Sequence, residues 1–331
     1  ARERDFKKPI KWFCVPQFFR HEKQQRGRLR EFYQLNCDII GEASPAADAE
    51  MLAVLVDTLR AFSLTERDFV VRLSSRSAWQ DFFARAGGCV NDEYEFFQVV
   101  DKAERSTPEQ TAKALEKFGA AGLNADSVLG FMKSKEPTPD LAPVLADLQA
   151  RGLGGFVEMD YAIVRGLAYY TGLVFEVFDR SKNERALAGG GRYDQLLKLM
   201  SDGKTDLPAL GFGLGDVVLA NLIEDVPAAR AQRDEWCAAQ RAADVYVVIA
   251  KDERRLDALA LVQQLRDAGL STDFPLTGLK VGKQFQAAES LGARVAILVG
   301  DEWPRVKLKT LATREEVLIS PDEIVARLTN C

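Results

Sequence analysis

The period of the apolar positions changes repeatedly along the chain, and the changes divide it. Residues 9–19 (PIKWFCVPQFF) and 30–41 (REFYQLNCDIIG) are β-rich runs on either side of a polar loop that ends in Gly27. They predict a two-stranded hairpin with an arginine-rich tip. Leu52, Leu55 and Leu59 repeat at helical spacing within 46–62, FVVRL at 69–73 reads as a strand, and a helix is expected over about 75–86, stopped by Gly87-Gly88. At 106–110 (STPEQ), Thr107 can cap, Pro108 suits the first helical position and Gln110 can close a capping box. The chain is expected to stay helical from there to Leu153. Residues 155–164 and 171–179 are two further β runs. The segments 187–200 (LAGGGRYDQLLKLM) and 208–223 (PALGFGLGDVVLANLI) each read as a glycine turn passing into a helix. An Ala/Arg/Gln-rich stretch at 226–243 separates this region from an alternation of strands and helices. That alternation predicts a compact α/β domain with a largely parallel sheet and a final helix capped by Ser320.

Composition narrows the function classes. In 331 residues, 47% are apolar and 28% charged, which is ordinary for a globular protein, and no apolar run reaches membrane-spanning length. Five cysteines at wide spacing, without a CxxC pair, exclude a disulfide framework and a structural zinc site, and suit reduced thiols in the cytoplasm. With the single histidine His21, a His-rich metal site or a Ser-His-Asp triad has little to draw on. The net charge of −5 argues against a globally basic nucleic-acid binder. Residues 1–30, however, hold ten Lys and Arg against three Asp and Glu. A local positive patch on an acidic chain suits a polyanion bound at one place.

Four segments carry candidate chemistry. In residues 18–38, Arg20, Arg26, Arg28 and Arg30 crowd one hairpin with Glu22, and strand alternation sends Arg28, Arg30, Phe32, Gln34 and Asp38 to one face. Guanidinium groups there could bind phosphate bidentately and Phe32 could stack on a purine. A solvated basic hairpin is the alternative. In residues 164–176 (VRGLAYYTGLVFE), Arg165 precedes Tyr169 and Tyr170; a buried arginine needs an anion, either a substrate carboxylate or phosphate or a structural salt bridge. GGGRYD at 189–194 permits close backbone approach to a ligand but lacks P-loop spacing. GFGLGD at 211–216 makes only a weak dinucleotide fingerprint, because no βαβ unit with a downstream acid follows, and a tight strand-to-helix junction is the geometry expected.

Together these residues carry a family resemblance. FRHEKQQRGRLREFYQLNCDIIG resembles motif 2 of the class II histidyl-tRNA synthetases almost residue for residue. RGLAYYTGLVFE and GGGRYD are similar to that family's two histidine-specific signatures, in the right order, and GFGLGD falls where motif 3 belongs. LKVGKQFQAAESLGARVAILVGDEWP resembles the family's anticodon-binding domain.

The resemblance implies an α+β class II catalytic domain, with an antiparallel sheet flanked by helices, over residues 1–225. A helical insertion is expected at about 101–153, a linker at 226–243 and an anticodon-binding-like α/β domain at 244–331. It also implies a cytoplasmic, homodimeric ligase with ATP, Mg²⁺, L-histidine and histidine tRNA as its cofactors and partners, and no resident metal site. By position, Arg20 and Glu22 match the motif 2 pair that handles ATP, Arg28 and Arg30 further phosphate-side arginines, and Phe32 the residue that stacks on adenine. Gln34, Asp38, Tyr169, Tyr170 and Tyr193 match histidine-pocket residues, with Arg20 reaching that pocket as well. Arg165 matches the arginine acting on the carboxylate and α-phosphate, and Gln25 the place where the motif 2 loop meets the tRNA acceptor end. The chain departs from the pattern in three ways. Motif 1 and the segment that grips the α-amino group would precede Ala1. Val218 occupies the place of the motif 3 arginine, and Ala168 that of an aspartate. The rival reading is a non-catalytic paralogue, either a histidine-sensing regulatory subunit or a tRNA-sensing module.

Overall fold

The computed structural model describes residues 5–21, 27, 29–103, 105–164, 169–181, 185–239 and 242–329. It divides into two compact units, Ala1–Arg233 and Asp234–Cys331.

In the first unit, β1 (Ile10–Cys14) and β2 (Gln17–Phe19) both pair antiparallel with the long β3 (Glu31–Ile40). The expected first strand of the hairpin is therefore two strands. Pro16 lies at the break; it has no N–H to donate, and its carbonyl accepts from Gln34 N–H at 3.2 Å. The sheet continues through β4 (Phe69–Ser75), β5 (Val157–Met159), β6 (Leu173–Asp179), β7 (Ala188–Arg192) and β8 (Ala209–Gly215), in the order β1-β3-β8-β7-β6-β4-β5. Only the β4–β5 pair within it is parallel.

Two sequence expectations change here. The β run at 155–164 pairs over three residues only. Asp160 then turns the chain, with its carboxylate accepting from Ala162 N–H at 3.1 Å. Gly189–Gly191 form part of a strand rather than a turn. Flanking strands on both sides bond their backbone, and a Cβ at Gly190 would lie 2.1 Å from the Gly211 carbonyl oxygen.

One face of this sheet is closed by α1 (Pro45–Arg60) and α8 (Asp216–Asp225). Leu52, Leu55, Val56 and Leu59 of α1 share a core with Cys37 and Ile39 of β3. Between β4 and β5 lie α2 (Arg76–Arg85), α3 (Glu93–Ala103), α4 (Pro108–Leu115), α5 (Ala125–Lys133) and α6 (Ala142–Ala150). An aromatic cluster of Trp79, Phe82, Phe83, Phe96, Phe131 and Tyr161 packs there, and the Trp79 indole N–H donates to the Tyr161 carbonyl at 3.0 Å. Both bonds of the Thr107–Gln110 capping box are present at the start of α4. The short α7 (Leu196–Met200) follows β7, and α9 (Pro227–Ala239) forms most of the stretch expected as a linker.

β7 is bound to α1 by charge. The Arg192 guanidinium donates to Asp48 Oδ1 at 2.8 and 3.1 Å, to the Glu42 carbonyl at 3.1 Å and to Asp194 at 3.2 Å. Burial pushes the Asp48 carboxyl up to about 6, against the pull of Arg192. Removing one partner of a buried ion pair costs about 3–5 kcal/mol, because the other charge is stranded. Arg192→Ala should lower stability by about that much near neutral pH. The loss should shrink toward pH 5, because without the arginine Asp48 takes up a proton in the folded state more readily than in the unfolded chain. Urea unfolding midpoints of both proteins at the two pH values test this, and a loss that grows on acidification would contradict it.

The second unit is a three-layered α/β sandwich of β9 (Val245–Ile249), α10 (Arg255–Asp267), β10 (Thr272–Asp273), α11 (Val281–Ser290), β11 (Val295–Val299), β12 (Val306–Thr310), β13 (Glu316–Ile319) and α12 (Pro321–Thr329). Val245, Val247 and Ile249 pack toward α10 and α12, and Tyr246 and Val248 toward α11. The sheet, ordered β10-β9-β11-β12-β13, is mixed rather than largely parallel. Its first two pairings are parallel and its last two antiparallel, because β11, β12 and β13 are joined by connections too short for a crossover. Among the described residues, no helix is long and apolar enough to cross a membrane.

Candidate active site

Strand β3 sorts its side chains by parity. Cys37 and Ile39 enter the core, while Phe32, Gln34, Asn36, Asp38 and Ile40 line a cavity of about 1590 Å³ on the opposite face. Known small-molecule pockets run to roughly 1000 Å³, so this one has room for more than one substrate.

The floor of the cavity is glycine. Across the sheet, Asn36 faces Gly213, which faces Gly189, which faces Glu176. In the next row Asp38 faces Gly211, and Gly211 faces Gly191. Residues directly opposite on adjacent strands hold their Cβ atoms about 5 Å apart. Glycines at these positions therefore open a trough roughly 14 Å wide, three strand spacings, between Asn36 and Glu176. A Cβ at Gly211 would lie 2.4 Å from Asp38 Oδ1, 2.5 Å from the Cys37 carbonyl oxygen and 2.7 Å from the Tyr193 hydroxyl. One at Gly213 would lie 2.3 Å from Gln34 Nε2.

At one end of the trough the Tyr193 hydroxyl donates to Asp38 Oδ1. Burial raises the Asp38 pKa while that bond lowers it; burial and the same bond hold the Tyr193 phenol well above its ordinary value. Tyr193 thus stays protonated as a fixed donor. A carboxylate has lone pairs on both oxygens, so Asp38 can accept an N–H from a ligand as well. Tyr169 lies 4.7 Å, ring to ring, from Tyr170 and meets Tyr193 edge-on at 6.1 Å. Gln34 Nε2 donates to Asn36 Oδ1. Toward the hairpin, Phe32 stacks on Phe18 at 5.8 Å, and the Arg20 guanidinium lies 5.2 Å from the Phe32 ring centroid. Phe32 and Arg20 thus stand together on the cavity wall at this end.

The structure thus brings Arg20, Phe32, Gln34, Asp38, Tyr169, Tyr170 and Tyr193 to one cavity. Arg30 is exposed just before β3 and is not among the lining residues; its carbonyl accepts from Arg20 N–H at 2.8 Å. Glu22, Gln25, Arg28 and Arg165 lie outside the described residues. Sequence reasoning missed Asn36, though its parity on β3 marks it. It also missed Glu176 and the floor role of Gly211 and Gly213, which only strand pairing reveals. GFGLGD is a strand running straight into α8, with Gly215 at the helix N-cap.

Gly211→Ala should disable the pocket and strain the β3–β8 pairing beneath it, since the Cys37 carbonyl oxygen is in the way as well. The added methyl must displace the Asp38–Tyr193 pair, and forcing a methyl into a packed site costs about 1–3 kcal/mol. Affinity for the ligand held by Asp38 is expected to fall about tenfold or more. Ligand titration beside a thermal melt checks this, and unchanged affinity would refute the floor assignment.

Comparison with known proteins agrees with the geometry. The histidyl-tRNA synthetase family model matches residues 1–216, and an anticodon binding domain matches residues 244–330. The histidine–tRNA ligase of Opitutus terrae is 40% identical over 98% of this chain and 78% of its own length. That of Leptospira biflexa is 30% identical over 98% and 76%. The crystal structure of histidyl-tRNA synthetase from Nostoc superposes with a TM-score of 0.67 at 24% identity, covering 98% of this chain and 79% of that one, a likeness of fold. A family match over most of the chain, with a tyrosine- and carboxylate-lined pocket over a glycine floor, has one outcome: the chain belongs to the histidyl-tRNA synthetase family.

Proposed function

We propose that this protein is a histidine–tRNA ligase that uses ATP to activate L-histidine and then charges histidine tRNA. The observation that carries the reading is the single row on β3, in which a ring suited to a purine, an amide pair and the Asp38 acceptor follow one another along one trough. In the first step a carboxylate oxygen of histidine attacks the α-phosphorus of ATP, the bond to the β-phosphate oxygen breaks, and pyrophosphate leaves. In the second, a hydroxyl of the 3′-terminal ribose attacks the acyl carbon and AMP leaves. Catalysis is by positioning and charge stabilisation, without a covalent enzyme intermediate.

Asp38 and the tyrosine hydroxyls hold the imidazole, with Gln34 beside it. Phe32 stacks on adenine and Arg20 neutralises phosphate. Glu22, Arg28 and Arg30 complete the nucleotide contacts, Arg165 acts at the α-phosphate, and Gln25 meets the tRNA end; these rest on the resemblance alone. The described residues hold no grouping of three or more His, Cys, Asp and Glu side chains fit for a resident metal. Magnesium that accompanies a triphosphate needs only one or two protein carboxylates, and Glu176 in the trough wall would supply one. Bound there, it would neutralise phosphate charge. A cytoplasmic homodimer is the state the family likeness supports.

The direct test is histidine-dependent exchange of labelled pyrophosphate into ATP. Exchange without histidine dependence, or none, refutes the reading. The second unit gives a further expectation. From Asp244 onward it holds 12 Lys and Arg against 13 Asp and Glu, so bulk attraction for phosphate is absent and recognition must rest on a few base contacts. A chain ending near Arg233 should lose tRNA charging by at least tenfold more than it loses pyrophosphate exchange. Equal losses in both would exclude an anticodon role.

A further inference from the structure

A triphosphate laid in the trough needs fixed cations along its tail, since carboxylates also stand in the wall at Asp38, Glu176 and Asp216. Position 218 supplies none: Val218, on the first turn of α8, lines the cavity with an apolar side chain that is 7% exposed. Among the described lining residues the cations are Arg20, Arg105 and Arg185. Arg20 is seated over Phe32, and Arg105 follows α3 in the helical region between β4 and β5. Arg185 is placed differently. Two residues after it, Leu187 donates its N–H to the Val177 carbonyl at 2.8 Å, and its own carbonyl accepts from Gly215 N–H at 3.2 Å. Those bonds tie the start of β7 to β6 on one side and to the residue before α8 on the other. Arg185 therefore stands just before β7, at the end of the sheet where α8 begins, in the same wall as Val218, Glu176 and Phe178.

We propose that Arg185 supplies the guanidinium that position 218 lacks, and that it holds the β- and γ-phosphates of ATP. The assignment rests on reading the trough as an ATP site. A long, exposed arginine at a strand end can present a planar fork to two phosphate oxygens, which a buried valine on the adjoining helix cannot. The contact reads the phosphate tail and not the adenosine.

The test is equilibrium dialysis of ATP and of AMP against the whole chain, Arg185→Ala, Arg185→Lys and Arg105→Ala, with thermal melts of each. A charge-assisted bond to phosphate predicts that Arg185→Ala weakens ATP about tenfold or more and AMP less than twofold. Arg185→Lys should weaken ATP less than Arg185→Ala does. The melting temperature of Arg185→Ala should barely move, because the side chain is exposed. Equal weakening of both nucleotides, no weakening, or a selective ATP loss in Arg105→Ala instead overturns the assignment. If ATP binds selectively through Arg185 but no histidine-dependent exchange occurs, this contact stands and the ligase reading falls. If the unsubstituted chain binds no ATP, both fall.

Discussion

Asp38→Ala is expected to lower kcat/KM for histidine-dependent pyrophosphate exchange by about 10³-fold or more while ATP binding persists. The size follows from what would be left behind. The Tyr193 hydroxyl, held protonated beside the carboxylate, would lose its acceptor inside a half-buried pocket, and the imidazole would lose its partner as well. A site built to hydrogen-bond its substrate discriminates strongly because each missing bond leaves a buried polar group without a partner. Asp38→Asn should fall less far, since an amide oxygen can still accept from Tyr193. Unchanged apparent affinity for histidine in Asp38→Ala would refute the pocket assignment.

Arg165→Ala should lower the rate of adenylate formation by about 10²–10³ with a smaller change in histidine KM. Attack at the α-phosphorus brings two anionic groups together and builds charge on non-bridging oxygens. A permanently protonated guanidinium can screen the approach and hold those oxygens at once, where lysine offers the charge without the planar fork. Arg165→Lys should therefore recover only part of the rate. A structural arginine in a core salt bridge makes the opposite forecast: a lower melting temperature with near-normal single-turnover adenylation in the folded fraction. Measuring both on one sample separates the two cases.

Much of the first unit was legible because β3 is long and alternates cleanly, so parity alone gathers Phe32, Gln34 and Asp38 on one face. The capping box at Thr107 was legible because it is local chemistry, complete within four residues. Part of what failed depended on distant partners. Three consecutive glycines carry no strand preference of their own, and only pairing with β6 and β8 makes Gly189–Gly191 extended. The apolar run after Gly155 looked like a strand until the Asp160 side chain closed a turn within it. Asn36 and the mixed sheet of the second unit could have been read, the first from its parity and the second from the short connections after β11. Arg185 could not, because nothing in its neighbours along the chain indicates that it stands in the same wall as Val218.

The glycine floor also limits how the pocket can be re-engineered. Gly211 and Gly213 already carry the smallest side chain possible, and every substitution there grows toward Asp38, Tyr193 or Gln34. A library seeking acceptance of bulkier histidine analogues would gain no volume from randomising the sheet beneath the ligand. Extra space can come only from trimming the rim, at Tyr169, Tyr170 or Gln34, and each of those cuts removes a polar group together with the bulk. Larger substrates would therefore be admitted at the expense of discrimination, and a methyl added to the floor would displace the groups that hold the ligand rather than resize the space above them.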